Sequence, residues 1–127
     1  MNIVLLIASI LGFVSVAFGA YNEHGLKKKI SEDVYRNVIV SVRYNQIYSA
    51  LLAAIGLAFY ADLPQSLESG LFWVSMIFTF AVLLFCFSIY LYAVLNKPKF
   101  ARLAPIGGIS FMIGWLVLGW VAITSAA

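Results

Sequence analysis

The chain has 127 residues, of which 64% are hydrophobic and 10% charged, with a formal net charge of +3. This length corresponds to one domain, and because soluble domains carry about 25% charged residues, the composition excludes an ordinary soluble fold. All eight Lys and Arg lie in two short segments, 27–43 and 97–102, between apolar runs. Such a pattern is typical of membrane orientation rather than of nucleic-acid binding.

The first apolar run predicts a retained membrane helix over residues 3–20. It resembles a secretory signal peptide, but no Lys or Arg precedes its apolar core, as such a peptide normally requires. Small residues recur on one face of this helix, at Ala8, Gly12, Ser15 and Gly19. Such a face allows a second helix to approach closely in lipid. A loop over residues 21–30 follows, in which Gly25 is the expected helix terminator.

The second predicted helix covers residues 32–60. Ser31 is a good N-cap, and Glu32 and Asp33 complement the positive end of the helix dipole. A helix of this length extends over roughly 44 Å, whereas the hydrocarbon core of a bilayer is about 30 Å thick. Its first three turns are therefore expected to form an interfacial extension, and the chain enters the membrane near Arg43.

Two further helices are predicted over residues 71–95 and 103–124. Asp62, Pro64 and Gly70 mark the loop before the third helix, and this loop contains no Lys or Arg. Pro105 suits the first turn of the fourth helix. The predicted fold is an all-α membrane protein, a four-transmembrane-helix bundle with up-down-up-down topology. It forms a single membrane domain over residues 1–127.

Charge asymmetry predicts the orientation of this bundle. Because both basic segments are expected to face the cytoplasm, both chain termini are expected outside. The predicted location is the plasma (inner) membrane of a bacterium, or alternatively the mitochondrial inner membrane, with the basic segments in the matrix. Tyr60, Trp73 and Trp120 are then expected near the outer interface.

Antiparallel helices bring most of the unusual polar residues to one membrane face. The candidate cytoplasmic-face polar cluster contains Glu23, His24, Arg43, Tyr44, Gln46, Tyr48 and Tyr90. A candidate helix-packing motif near the start of the fourth helix contains Pro105, Gly107, Gly108 and Gly114. Its first three residues also suit an anion-binding helix start, but close helix packing explains the same glycines.

Several chemical roles remain open for this cluster. His24 is a candidate proton relay or an interfacial residue that orders the loop. Arg43 is expected to snorkel to lipid headgroups, to pair with Glu23 or to bind a substrate. Cys86 lies inside an apolar run and is expected to be a buried small hydrophobe. The sequence contains no catalytic pattern or metal-ligand set, so we assign no catalytic, metal or cofactor-binding residue and expect no cofactor.

Four sequence motifs carry a resemblance to a known family. The first two comprise Gly12, Phe13, Gly19, Ala20, His24 and Gly25, then Tyr44, Gln46, Tyr48, Ala50 and Leu51. The other two comprise Phe85, Cys86, Ser88 and Tyr90, then Leu103, Ala104, Pro105, Gly107, Gly108, Gly114 and Trp115. Through these residues the chain resembles the uncharacterised domain-of-unknown-function-423 family of small four-helix membrane proteins. The resemblance implies the same fold and no established biochemical activity.

The chain departs from the family pattern at two places. Tyr21-Asn22-Glu23 separates Gly19-Ala20 from His24-Gly25, which the family usually joins directly. Ser49 stands where the family tends to have a histidine, with Asn45 as an extra residue just before it. A role that requires two facing histidines is therefore not expected here.

Three classes of function fit these features. We expect a structural, accessory or assembly subunit of the membrane, which contacts lipids and packs against a second copy or a larger membrane protein. The alternative is a small carrier or channel with its polar site at the cytoplasmic face. A membrane enzyme is the third hypothesis, and the absence of an acid–base pair in the sequence weighs against it.

Overall fold

The computed structural model describes residues 1–125, and every regular element in that range is helical. The α-helices are α1 (Ile3–His24), α2 (Glu32–Ala58), α3 (Gln65–Val82), α4 (Ser88–Leu95) and α5 (Ala104–Thr124). A π-helical turn, Leu83–Phe87, joins α3 to α4, so the third span runs unbroken from Gln65 to Leu95. Within residues 1–125, four helices are long and apolar enough to cross a membrane. The predicted all-α bundle of four spanning helices is therefore confirmed.

The first helix pair, α1 with α2, is held together by small residues. The predicted small-residue face of α1 does lie against α2: Ala8 and Ser15 are buried, and a Cβ atom at Gly19 would lie 3.2 Å from Val42. Farther along the same pair, Gly56 of α2 approaches the backbone of Leu5 so closely that a Cβ would lie 2.9 Å from its nitrogen. The two helices therefore touch at backbone distance, as in membrane pairs built on small residues.

The second pair, α3 with α5, also packs through glycines. A Cβ at Gly114 would collide with the ring of Phe78, and one at Gly70 would lie 2.7 Å from the side chain of Val121. The expectation that Gly70 lies in a loop is therefore wrong. The third span begins at Gln65, with Pro64 as its N-cap residue and Glu68 in its first turn. Because an acidic first turn suits the helix dipole, the helix extends beyond the apolar run that marked it in the sequence.

The residues that end α1 and cap α2 are those predicted from the sequence. Ser31 caps α2 as predicted, since its side chain accepts a hydrogen bond of 3.3 Å from the backbone nitrogen of Val34. Gly25 terminates α1 as predicted, but α1 continues through Tyr21–His24, which had been expected to form a loop. The interfacial extension at the start of α2 packs on this additional turn: Asn22 Nδ2 donates to the carbonyl of Tyr35 at 3.4 Å.

Short 3₁₀ segments complete the two connections at one end of the bundle. Leu26–Lys28 lies between α1 and α2, and Pro98–Leu103 lies between α4 and α5. Asn96 ends α4 in the left-handed region, with φ of 54°. It is the single non-glycine residue with positive φ among residues 1–125, and asparagine tolerates this conformation better than most residues.

Candidate functional site at the basic face

We call one end of the bundle the basic face; it carries the connections Gly25–Ser31 and Asn96–Leu103 and the adjoining helix ends. α1 and α4 end there, and α2 and α5 begin there. All eight Lys and Arg of the chain lie in these segments or in the part of α2 from Glu32 to Arg43. The acidic residues of the opposite end are Asp62 and Glu68.

A small network ties the end of α1 to the start of α2. The hydroxyl of Tyr35 donates to Glu23 Oε2, and Lys27 Nζ lies 3.7 Å from the other carboxylate oxygen. The same ammonium sits 5.0 Å from the centroid of the Tyr35 ring. Because Glu23 and Lys27 are both about half exposed, the ion pair itself adds little stability. The network mainly fixes where the Glu23 carboxylate lies.

Asn22 differs from the other polar residues near it because one of its buried side-chain atoms has no hydrogen-bond partner in the part of the chain that the structure describes. It is 2% exposed, and its Nδ2 is bonded to Tyr35. Its Oδ1 has no hydrogen-bond partner and is the one such buried side-chain nitrogen or oxygen within residues 1–125. Leaving a buried acceptor unpaired costs on the order of 1–3 kcal/mol, and an unpaired group of this kind in a folded protein requires an explanation.

A cavity of about 220 Å³ lies between α1 and α2 at this point. It is lined by Gly19, Asn22, Glu23, Ile39, Val42, Arg43 and Gln46. Arg43 is exposed, and the two ion pairs found within residues 1–125 do not include it. Arg43 and Glu23 thus line one cavity without pairing with each other, and pairing was one of the three alternatives for Arg43.

A second polar group is buried deeper, between α2 and α4. Asn45 is fully buried, and its Nδ2 donates to the hydroxyl of Tyr90 at 3.1 Å. Ser49 Oγ donates to the carbonyl of Asn45 at 2.7 Å and lies 3.2 Å from Asn45 Oδ1. The ring of Phe18 stacks on Tyr90 with 4.1 Å between centroids. These groups satisfy one another and hold three helices together.

An aromatic cluster joins α2, α3 and α5. Trp115 Nε1 donates to the hydroxyl of Tyr48 at 2.7 Å, and Tyr48 stacks on Phe111 at 4.1 Å between ring centroids. Phe78 lies against both Tyr48 and Trp115, with centroids 5.0 Å and 5.4 Å away. The polar atoms of Tyr48 and Trp115 are paired with each other inside the protein, so this cluster is a packing element.

The residues of the predicted polar cluster therefore occupy four different places. Glu23, Arg43 and Gln46 line the cavity, whereas Tyr48 and Tyr90 are buried in the bundle. Tyr44 packs against Phe85 and Phe111 instead, at centroid distances of 5.0 Å and 5.6 Å. His24 is exposed at the end of α1 and is not part of the cavity lining.

The four residues of the predicted packing motif differ in how closely they pack. Gly107 approaches Phe85 so closely that a Cβ would collide with the backbone nitrogen of that residue, and Gly114 is similarly close to Phe78. Gly108 is looser, with its nearest neighbour, a Phe85 ring atom, at 4.0 Å, and Pro105 is exposed. Phe85 belongs to the π-helical turn. Such turns often occur at functional sites, but here the turn packs against α5.

Sequence reasoning missed Asn22, Asn45 and Ser49 as site residues. All three are buried polar residues next to or within apolar segments. In a membrane protein a buried amide must find a partner or remain costly, and this rule marks asparagines inside spanning helices for attention. It does not reveal which of them lacks a partner.

The opposite end of the bundle contains a larger cavity, of about 580 Å³. It is lined by Met1, Asn2, Ile3, Val4, Phe59, Tyr60, Gln65, Glu68, Ser69 and Phe72. Both polar atoms of the Asn2 side chain are used: Oδ1 caps α1 at Leu5, and Nδ2 donates to the carbonyl of Gly56 at 2.7 Å. Within residues 1–125, no three His, Cys, Asp or Glu side chains lie together as metal ligands do.

The chain is similar in sequence to known membrane proteins. A family model described as "Protein of unknown function (DUF423)" matches residues 18–108. The UPF0382 membrane protein of Staphylococcus epidermidis is 29% identical over 119 residues, which cover 93% of each chain. The UPF0382 inner membrane protein YgdD of Escherichia coli K12 is 29% identical over 114 residues, covering 90% of this chain and 84% of the relative. No solved structure matches the chain.

Proposed function

Since this chain belongs to the DUF423 family, for which no function is described, we propose that it acts as a structural or accessory subunit of the membrane. The observation that carries the proposal is how its buried polar groups are used. Asn45 with Tyr90, and Tyr48 with Trp115, form bonds that hold helices to one another. The bundle interior is thus built for packing, and the exposed Arg43, which takes part in neither ion pair of residues 1–125, lies outside it at the basic face.

The partner is a second copy or one other membrane protein. α5 supports this proposal because four of its residues are buried and most of the others are exposed and apolar. Gly119 lies on that surface, and a Cβ added there would meet no atom of the chain within 4 Å. A bulky residue at Gly119 therefore tests contacts outside the chain without disturbing contacts within it.

Native mass spectrometry of complexes released gently from the membrane tests the accessory role. We expect one complex of fixed stoichiometry, which Gly119→Leu weakens while the melting temperature of the isolated chain is unchanged. Ala17→Leu, which adds similar bulk on the exposed surface of α1, is the matched control. A wild-type chain found only as a lipid-bearing monomer would contradict the proposal, and solute flux through reconstituted vesicles would favour the carrier or channel alternative.

We further propose that the chain lies in the bacterial plasma membrane with its basic face in the cytoplasm. The charge asymmetry supports this orientation, and the E. coli relative is named an inner membrane protein. In a Cys86→Ser background, Asp62→Cys should react with an impermeant thiol reagent on intact cells, whereas Lys99→Cys should react only after lysis. The opposite labelling pattern would reverse the orientation.

A further inference from the structure

The lining of the cavity at the basic face contains one cation and one anion. Arg43 and Glu23 give it a formal charge of zero, and Asn22, whose Oδ1 is buried without a partner in residues 1–125, lies in the same lining. A purely anionic ligand would lie beside the Glu23 carboxylate. The lining therefore suits a zwitterion that has a hydrogen-bond donor at its positive end.

The register of the two helices fixes the order of these groups along the membrane normal. Gly19 lies opposite Val42, and Gly12 lies opposite Ser49, so the antiparallel pair keeps one register over these positions. In that register Arg43 is level with Phe18, five residues before Glu23. At about 1.5 Å per residue, the Arg43 backbone is roughly 7 Å deeper in the membrane than that of Glu23.

Arg43 is suited to the negative end of such a ligand. Its guanidinium carries five N–H donors in a planar fork that fits phosphate, and it takes part in neither ion pair of the described residues. Since side chains on a helix lean toward its N-terminus, Arg43 leans from α2 back toward the basic face. Its guanidinium thereby comes to the depth at which lipid phosphates lie.

Glu23 is suited to the positive end. Its carboxylate contacts Tyr35 and Lys27, but a carboxylate has about four acceptor positions and keeps capacity for another donor. A primary ammonium group has N–H donors for this carboxylate, whereas a quaternary ammonium group has no N–H to donate.

We propose that this cavity binds the headgroup of phosphatidylethanolamine, with the phosphate on Arg43 and the ammonium group on Glu23. The order of the groups favours a lipid over free phosphoethanolamine, because the cationic residue lies on the bilayer side and the carboxylate lies on the water side. The volume of about 220 Å³ is below the roughly 300–1,000 Å³ of sites that enclose whole small molecules. The cavity thus takes the headgroup, while the acyl chains stay in the bilayer.

Other common headgroups fit this chemistry less well. Phosphatidylglycerol has no cation for Glu23, and phosphatidylcholine has no N–H for its carboxylate. Phosphatidylserine adds a carboxylate beside Glu23. Lys28 lies outside the cavity lining, so its attraction to lipids is generic and favours anionic headgroups. The proposed site and this generic attraction therefore predict opposite lipid preferences.

Native mass spectrometry of the full chain with an equimolar mixture of these four lipids tests the proposal. We expect about tenfold preferential retention of phosphatidylethanolamine over phosphatidylcholine, consistent with one charge-assisted hydrogen bond. Glu23→Gln keeps the size of the side chain and its acceptor for Tyr35, and should abolish this preference. Arg43→Gln should weaken phosphatidylethanolamine retention about tenfold. Lys28→Gln is the matched control and should leave the preference unchanged.

Two results would overturn the proposal. One is equal retention of all four lipids by the wild-type chain, or a preference that Glu23→Gln and Arg43→Gln leave intact. The other is displacement of bound lipid by millimolar free phosphoethanolamine, which would assign the site to a soluble ligand. Inorganic phosphate serves as the control in that competition. None of these results depends on the accessory role, because the isolated chain is the sample throughout.

Discussion

The seam between α1 and α2 and the seam between α3 and α5 are both built on glycines, but they differ in what they enclose. Along α3–α5, Gly114 and Gly70 bring the helices against Phe78 and Val121 without a polar gap. Along α1–α2, the close contact at Gly19 is followed by a cavity and by an asparagine with an unpaired acceptor. The α3–α5 seam stabilises the fold, whereas the α1–α2 seam keeps chemical groups available at the basic face.

The largest effect that separates the two seams is expected from a bulky residue at the α5 glycines. Gly107→Leu and Gly114→Leu force a side chain into the Phe85 backbone and the Phe78 ring, respectively. Overpacking typically lowers the free energy of unfolding by about 1–3 kcal/mol. We expect Gly107→Leu to reach the upper end of this range, because the Phe85 backbone can move less than the Phe78 side chain. Thermal unfolding in detergent measures the loss.

Variants at two other glycines serve as references for that measurement. Gly119→Leu meets no neighbouring atom within 4 Å and should leave the melting temperature unchanged. Gly70→Leu should destabilise the chain, but less than Gly107→Leu, because only the side chain of Val121 lies in its way. Equal melting temperatures for all four variants would remove the stabilising role assigned to the α3–α5 seam.

A smaller effect is expected from the paired asparagine in the bundle interior. Asn45→Leu leaves the hydroxyl of Tyr90 without its donor and removes the side-chain partner of Ser49. Buried groups left unpaired cost about 1–3 kcal/mol each, so the free energy of unfolding should fall by roughly 2 kcal/mol. Tyr35→Phe, which removes an exposed hydrogen bond to Glu23, is the control and should stay within about 0.5 kcal/mol.

The sequence alone could predict the bundle because its main determinants are local. Apolar runs of membrane-spanning length, the Ser31 cap and the small face around Gly12 each depend on neighbouring residues only. The helical position of Gly70 could not be predicted in this way. A polar stretch before an apolar run looks like a loop, and it was the contact with Val121 of a distant helix that showed where this glycine packs.

The candidate site was predictable in part for the same reason. Antiparallel topology brings Glu23, Arg43 and Gln46 to one face, and they do line one cavity. The sequence could not show that Tyr44 and Tyr90 lie outside this cavity, where Tyr44 packs on Phe85 and Tyr90 bonds to Asn45. Nor could it identify Asn22, because the missing partner of Oδ1 is a property of the assembled helices.

Asn22→Leu should change the free energy of unfolding in the opposite direction to Asn45→Leu. Replacing a buried acceptor that has no partner with an apolar side chain of similar size is nearly neutral or stabilising, and the bond given up to Tyr35 is long, at 3.4 Å. The free energy of unfolding should therefore rise by up to about 1 kcal/mol, as thermal unfolding in detergent would measure. A loss of stability as large as that of Asn45→Leu would show that Asn22 is a structural residue with an ordinary partner.

The smallest change in stability is expected at Arg43, although its effect on lipid binding should be large. Arg43 is exposed and takes part in neither ion pair of the described residues, so Arg43→Leu and Lys28→Leu should each change the free energy of unfolding by about 0.5 kcal/mol or less. Their lipid retention should nevertheless differ, because only Arg43 lines the cavity. Arg43→Lys distinguishes a shaped contact from generic attraction, since lysine keeps the charge and loses the planar fork. If Arg43→Lys retains phosphatidylethanolamine as the wild-type chain does, Arg43 acts only as a point charge at the membrane surface.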